Sequence, residues 1–472
     1  MNLSDIMEDF QHCVCEGGRV ITVPEEMAAY LTDWRGNKTG HARMVLQPGS
    51  TESLARIVRL AAQTGTALVP QGGNTGLVGG SVPETDGNAI LVSMTRMNRI
   101  RSVDPASDCI IAEAGVILQH VHEAAAAADR MFPLSLGAKG SATIGGLVST
   151  NAGGTQVLRY GTMRAQILGL EAVLPSGEVL DQLSPLRKDN SGYDIKQLLI
   201  GAEGTLGFVT AASLRLLPAP KTVVTALVGL TDPAAALGLM TRLKPATGDR
   251  LDSFELMPRI AVELVTQHVP GTRDPLEDAY PWYVLMEVTS SVAGDALHDA
   301  LEAALAAELA ANRILDAVIA RSERERGELW QLRETIAEAE KADGKALKHD
   351  ISIPVADMPR FMAAAAAAIE DRWEGAQVFA FGHLGDGNVH FNVRSDARLP
   401  RERLMLLRDD VAALVYRMVA DHRGSISAEH GIGSLKAGEL AQLGDPGKLA
   451  AMKAVKAALD PMGIMNPGKM FV

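Results

Sequence analysis

VPQGGNTGLVGG, residues 69–80, decides how this chain is read. The β-like run ALVP feeds straight into a loop of small residues with exposed backbone N–H groups. Only glycine permits both φ > 0 and close approach of the main chain to another group, so such a loop can wrap a phosphate. It is not the dinucleotide fingerprint GxGxxG, and no GK[ST] ends it as in a P-loop. Alone, it fits a cluster of structural turns equally well. LGAKGSATIGGLVSTNAGG (136–154) and GAEGTLGFVT (201–210) repeat the texture. Three such loops suit a large cofactor with a diphosphate and two ring systems, and FAD fits better than NAD.

Outward from this stretch, MVLQPGS and ALVP are short β-like runs, and TESLARIVRLAAQTG between them has helical spacing. That is a βαβ-like unit ending in glycines. The first 43 residues read as an irregular entry with one or two helices. Strand-like runs recur at AILVSM, CIIAEAGV, LGLEAVLPSG and LGFVTAASLRLLP. The prolines of LLPAPKTVV, residues 216–224, mark a break. Beyond it, TVVTALVGL, WYVLMEVTS, ILDAVIA and ALKHDISIP alternate with helical stretches. Among these are an alanine-rich helix, one long charged helix over 322–343 and another ending at Trp373. The expected class is α+β.

The chain has 472 residues, a formal net charge of −12 and three cysteines. The length allows two or three domains, each with its own core. The acidic balance speaks against nucleic acid and anionic membranes as partners. Cys13, Cys15 and Cys109 are too few for a disulfide framework and suit a reducing compartment. Cys13 and Cys15 lack the spacing of a zinc knuckle or redox pair and read as incidental. Asp5, Glu8 and Asp9 stand where an export signal needs positive charge, so the expected location is cytoplasmic. Two uncharged stretches, 60–83 and 140–158, exceed the usual length of a membrane span. Their glycines disqualify them, so no transmembrane segment is expected.

FGHLGDGNVHFNV, residues 381–393, places His383 and His390 around the turn sequence LGDGN. The segment reads as a hairpin whose arms bring the two imidazoles together. Asn392 shares the strand face of His390. SISAEHGIG, residues 425–433, adds Glu429 and His430. Two neutral imidazoles and a carboxylate suit a borderline divalent metal with positions left open for substrate. The alternative is satisfied polar residues near a turn. Arg333, on the charged helix, and Lys348, at the start of the next strand, suit a substrate carboxylate. Most such cations are simply solvated.

Taken together, PQGGNTGLVGGSVP, LGAKGSATIGGLVSTNAGG, RYGT, LRKDNSGYDIKQLLIGAEGTLG, GHLGDGNVHFNV, SAEHGIG and NPGK carry a resemblance. From residue 44 to the C-terminus the chain resembles the flavin dehydrogenases of the vanillyl-alcohol oxidase superfamily, in the D-2-hydroxyglutarate and D-lactate dehydrogenase branch. The resemblance implies a two-lobed PCMH-type FAD-binding domain over 44–219 and an α+β substrate domain over 220–425, with an antiparallel sheet and flanking helices. A final segment, 426–472, returns to the flavin.

The same resemblance implies a cofactor set of Pro70, Gly72, Gly73, Asn74, Thr75, Gly76, Gly137, Ser141, Gly145, Gly146, Ser149, Asn151, Gly153, Gly204, Val209 and Asn466. It makes His383, His390 and Glu429 ligands of a divalent metal, usually zinc. Arg333, Lys348, Asn392 and His430 become active-site groups. FAD is expected to be non-covalent, because no histidine lies in the 70–80 loop. One departure is Ala337, where the family carries a threonine. Thr335, two residues earlier, would point to another helix face.

The implied reaction is metal-assisted oxidation of a D-2-hydroxy acid, best D-2-hydroxyglutarate, to the 2-keto acid, with hydride passing to flavin N5. His430 is the candidate base, or else a group behind Glu429. The expected acceptor is an electron-transfer flavoprotein or a quinone-linked carrier, and the expected assembly a homodimer. The alternatives are D-lactate or glycolate oxidation, a relay subunit that binds FAD without an intact metal cluster, and a binding protein with degraded glycine loops.

Overall fold

The computed structural model describes residues 3–14, 17–396 and 398–471. Cys15 lies outside them. The chain divides into two compact units. The first is Met1–Gly153, Thr162–Ala219 and Glu429–Val472; the second is Gly154–Gly161 and Pro220–Ala428.

The first unit opens with a four-stranded sheet of β1 (Arg19–Ile21), β2 (Val45–Gln47), β3 (Leu68–Gln71) and β4 (Ile90–Ser93), in the order β1-β2-β4-β3. The helix Thr51–Thr64 joins β2 to β3. Ser50 caps its first turn, Gly65 ends it at φ 68°, and Leu54, Ile57, Val58 and Ala61 form its buried stripe. Strand β1 revises the irregular entry: Val20 and Ile21 extend the sheet antiparallel to β2.

Next come β5 (Ile100–Asp104), β6 (Cys109–Glu113), β7 (Arg130–Met131), β8 (Ile167–Val173), β9 (Val179–Gln182), β10 (Phe208–Arg215) and β11 (Leu217–Pro218). Five of them form an antiparallel sheet ordered β5-β6-β10-β8-β9, while β7 and β11 pair alone. The C-terminal residues run beside β3. Leu68 donates to the Ile464 carbonyl, and Asn466 donates back to the Leu68 carbonyl, both at 2.8 Å.

The second unit is built on β12 (Thr222–Leu230), β13 (Leu251–Pro258), β14 (Trp282–Ser290), β15 (Asp316–Ile319), β16 (Leu347–Ser352), β17 (Ala376–His383) and β18 (Asn388–Ser395). They form one antiparallel sheet, β15-β12-β14-β13-β17-β18-β16. One face carries Val224, Ala226, Val228, Val284 and Met286 against the helices Pro233–Ala246, Ala296–Ala310 and Met358–Arg372. The opposite face carries Leu227, Met257, Leu285, Phe379 and Phe381 under the helices Arg259–His268, Glu323–Glu334 and Ile336–Asp343. The α+β class and the antiparallel sheet with flanking helices are as the sequence implied.

Two readings change. The single helix expected over 322–343 is two helices, broken at Thr335 (φ −93°, ψ 3°). The Thr335 hydroxyl donates to the Gln331 carbonyl at 2.7 Å, a local bond that competes with regular helix. The angular argument from Thr335 to Ala337 therefore does not carry across the break. Strand β13, LDSFELMP, escaped notice because Asp252, Ser253 and Glu255 occupy buried positions that normally hold apolar side chains. Among the described residues no helix is long and apolar enough to cross a membrane.

Candidate functional site

The hairpin of β17 and β18 forms around LGDGN. Asp386 accepts the Asn388 N–H at 3.0 Å, and Gly387 takes φ +83°. A side chain at Gly387 would also meet the Ile353 carbonyl at 2.1 Å. Val389, Phe391 and Val393 point into one core, so His390 and Asn392 take the other face of β18. Register sets Asp350 of β16 opposite His390 and Lys348 opposite Asn392. The His383 and His390 rings meet edge-on with centroids 5.5 Å apart.

Behind these groups stand carboxylates. Glu255 of β13 is registered against His383 and is fully buried. One of its oxygens lies 2.7 Å from His383 Nδ1, and the other accepts from Arg333 Nε at 2.8 Å. Burial pushes its carboxyl up, but the charges of His383 and Arg333 outweigh burial and hold it below the usual range. The Arg333 guanidinium lies 5.1 Å above the Phe381 ring centroid. On the other ring, His390 Nδ1 faces Asp350 at 3.7 Å, and Asp350 accepts from Asn388 at 2.9 Å.

A parallel arrangement holds the other cation. Glu340, on the helix Ile336–Asp343, is 1% exposed. It pairs with Lys348 Nζ at 2.6 Å and accepts from the Asn392 amide at 3.0 and 3.1 Å. Arg333, Lys348, His383, His390 and Asn392 are thus gathered on one sheet face of the second unit. Ala337 is exposed.

Glu429 and His430 follow Ala428, whose N–H reaches the Asp350 carbonyl at 3.4 Å. Just downstream, Ile432 and Gly433 donate to the Glu203 carboxylate at 2.7 Å each. Burial pushes the Glu203 carboxyl up, and those two N–H groups oppose it.

The glycine loops of the first unit sort into two kinds. Some are required by packing. A Cβ on Gly73 would sit 1.9 Å from the Ser141 carbonyl oxygen, and one on Gly145 would sit 2.6 Å from the Ala114 Cβ. Gly204, at φ +72°, presses on the Pro70 ring, where a Cβ would come within 2.2 Å. Others face open space: Gly76 and Gly137 have no neighbour within 4 Å of a would-be Cβ. Gly146 lies against Thr143, and Gly153 is buried.

Polar residues brace the frame. Asn74 (φ 52°) donates to the Thr32 carbonyl at 2.8 Å and accepts from Ser81. Asn151 (φ 50°) ends the helix Ile144–Thr150 and accepts from the Arg164 N–H. Ser149 lends its carbonyl to the Glu203 N–H. Thr75 is half-buried, and Val209 is a buried residue of β10. Asn466 donates to the carbonyls of Gly80 and Glu203 at 2.9 and 2.7 Å. Its own oxygen, like the hydroxyl of buried Thr143, has no partner among the described residues. Two orphaned buried polar atoms, one of them the Thr143 hydroxyl against Gly72 and Gly146, fit a polar ligand such as FAD.

Sequence reasoning missed Glu255, Glu340, Asp350 and Thr143. Glu340 lies beyond the break at Thr335 from Arg333, so helix spacing between the two gave no signal. For Glu255 the signal was an acid inside the apolar run FELM.

Residues 219–470 match the family model described as "FAD linked oxidases, C-terminal domain", and residues 42–182 match "FAD binding domain". The chain is 40% identical to rat (Rattus norvegicus) mitochondrial D-2-hydroxyglutarate dehydrogenase, covering 96% of this chain and 82% of that protein. It is 36% identical to a D-2-hydroxyglutarate–pyruvate transhydrogenase of Saccharomyces cerevisiae, over 94% and 90%. A putative mitochondrial D-lactate dehydrogenase of Schizosaccharomyces pombe is 38% identical, over 95% and 85%.

Among solved structures, p-cresol methylhydroxylase superposes with a TM-score of 0.77 at 13% identity, covering 99% of this chain and 96% of that one. That likeness shows the PCMH-type fold. The expected cytoplasmic location is overturned, because the relatives from rat, Arabidopsis thaliana and Bos taurus are named as mitochondrial. Few cysteines mark a reducing compartment, and that criterion does not separate cytosol from another reducing space.

Proposed function

The chain belongs to the FAD-linked oxidase family as an FAD-dependent 2-hydroxyacid dehydrogenase, and from that premise we propose that it oxidises D-2-hydroxyglutarate to the 2-keto acid with the help of a divalent metal. The observation that carries this reading is the pair of cation stations on one sheet face. Arg333 and Lys348 are each anchored by their own buried carboxylate. Two stations suit a substrate with two carboxylates.

Arg333 uses only its Nε–H on Glu255, and its Nη groups have no partner among the described residues. They are suited to grip the C1 carboxylate as a fork. Lys348 supplies a point charge to the distal carboxylate. His383, His390 and Glu429 are the proposed metal ligands. In support, each imidazole has a carboxylate facing its Nδ1, and Glu429 follows directly on the residue bonded to β16.

A divalent metal held by these ligands, zinc by donor type, would lower the pKa of a substrate hydroxyl bound to it. Bound FAD would supply the acceptor for the two electrons and hydrogen lost from C2. His430 takes the hydroxyl proton, or else supports Glu429. The Thr143 hydroxyl and the Asn466 side-chain oxygen, the latter only as an acceptor, would hold the flavin alongside the loop Gly72–Gly73–Asn74–Thr75–Gly76. The proposed flavin domain is 44–219, the substrate domain 220–425 and the return segment 426–472.

A dye-coupled assay across D-2-hydroxyglutarate, D-malate, D-lactate and glycolate tests the reading. D-2-hydroxyglutarate should lead in kcat/KM by at least about tenfold, the worth of one charged contact. D-lactate turned over equally well would reject the dicarboxylate, in line with the fission-yeast relative's name. No turnover of any of the four would reject the hydroxy acid.

A further inference from the structure

We propose that Glu255 is a positioning residue that fixes two site groups at once, the tautomer of His383 and the direction of the Arg333 guanidinium. The inference rests on the metal reading of His383 given above.

Glu255 is 0% exposed and sits at the centre of the seven-stranded sheet. Its place opposite His383 is set by β13–β17 register, not by a flexible loop. Each of its oxygens serves one partner, His383 Nδ1 at 2.7 Å and Arg333 Nε at 2.8 Å. An ionised carboxylate only accepts, so the His383 proton must reside on Nδ1. In the neutral ring that a metal requires, the Nε2 lone pair is then the one left for it, the arrangement in which a carboxylate behind a histidine orients it and raises its basicity.

The same carboxylate takes Arg333 by its Nε–H alone, and the ring of Phe381 lies under the guanidinium. Neither Nη group has a hydrogen-bond partner among the described residues, which leaves them for a substrate carboxylate. A buried ion pair is weak grounds for stability, because well-packed apolar residues often replace one without loss. A role in geometry is what calls for this carboxylate at a fully buried strand position.

Glutamine separates geometry from shape. Its amide has one acceptor and one donor end, yet both neighbours are donors. The buried Arg333 cation cannot be left without an acceptor and keeps the carbonyl end, so His383 must accept at Nδ1 and hold its proton on Nε2, where no lone pair remains for a metal.

The test is zinc affinity by equilibrium dialysis of the FAD-loaded enzyme, with flavin absorbance and thermal melting as controls on the fold. Glu255→Gln should retain FAD and bind zinc about 10–100-fold more weakly. Glu255→Asp should recover part of the loss. If Glu255→Gln does not fold, Glu255→Leu with Arg333→Met removes both the buried cation and every acceptor at position 255 and carries the test, and it should still bind zinc weakly. Wild-type zinc affinity in that double variant would overturn the inference, because Glu255 would then only balance the charge of Arg333. Unchanged affinity in Glu255→Gln, with wild type binding zinc, would overturn it alone. A wild-type enzyme that binds no zinc would overturn the metal reading as well.

Discussion

The two units of this molecule are built for anions by opposite means. The first offers backbone: glycines pressed on their neighbours at Gly73 and Gly145, open glycines at 76 and 137, and two orphaned polar atoms on Thr143 and Asn466. The second offers charge, and both candidate site cations there are leashed to a buried carboxylate, Arg333 to Glu255 and Lys348 to Glu340. Neutral N–H groups are held by the fold at no electrostatic cost. A buried guanidinium or ammonium needs a counter-charge and brings its partner into the site. An overall charge of −12 is therefore compatible with two anionic ligands.

The contrast can be broken most sharply at the packed glycines. Gly73→Ala forces a methyl group to within 1.9 Å of a backbone oxygen. It should cost about 1–3 kcal/mol or more and abolish FAD binding, read by melting and flavin absorbance. Gly76→Ala, with open space around it, should instead leave the melting temperature unchanged and weaken FAD alone. Equal behaviour of the two would erase the division between packing glycines and ligand glycines.

In the second unit, Arg333→Met leaves Glu255 buried without its cation and should destabilise by about 3–5 kcal/mol while removing activity. Lys348→Met touches a more exposed cation. It should raise KM for D-2-hydroxyglutarate about tenfold, the worth of about 1.4 kcal/mol, with little change for D-lactate.

The smallest effect belongs to a carboxylate outside both sites. Hydrogen bonds from Arg313 lead, burial opposes, and Arg242 adds to hold the Glu308 carboxyl at about 2. A depressed folded-state value means the stabilisation is full above the ordinary 4.5 and fades as pH falls toward about 2. Glu308→Gln should therefore cost up to about 1 kcal/mol at neutral pH and nothing at the acid end, measured by denaturant melts.

What the sequence made legible follows the same division. Glycine strings, the LGDGN hairpin and the same-face placement of His390 and Asn392 are local features, and local rules reach them. Glu255 lies 78 residues from Arg333 and 128 from His383. Only sheet register joins them, and no local pattern encodes that register. Glu340, in AEAEKADG, looked like one more solvated acid until the helix break at Thr335 and the pairing with Lys348 buried it. The helix break falls at Thr335, whose hydroxyl turns back on the Gln331 carbonyl.

The central claim is that flavin binding and substrate activation are separate jobs, one done by backbone and the other by charge with a metal. Anaerobic bleaching of the flavin by D-2-hydroxyglutarate, before and after EDTA with metal content assayed, tests it most directly. The account predicts that metal removal stops bleaching while the yellow colour stays with the protein. Bleaching at the full rate in metal-free enzyme would contradict it.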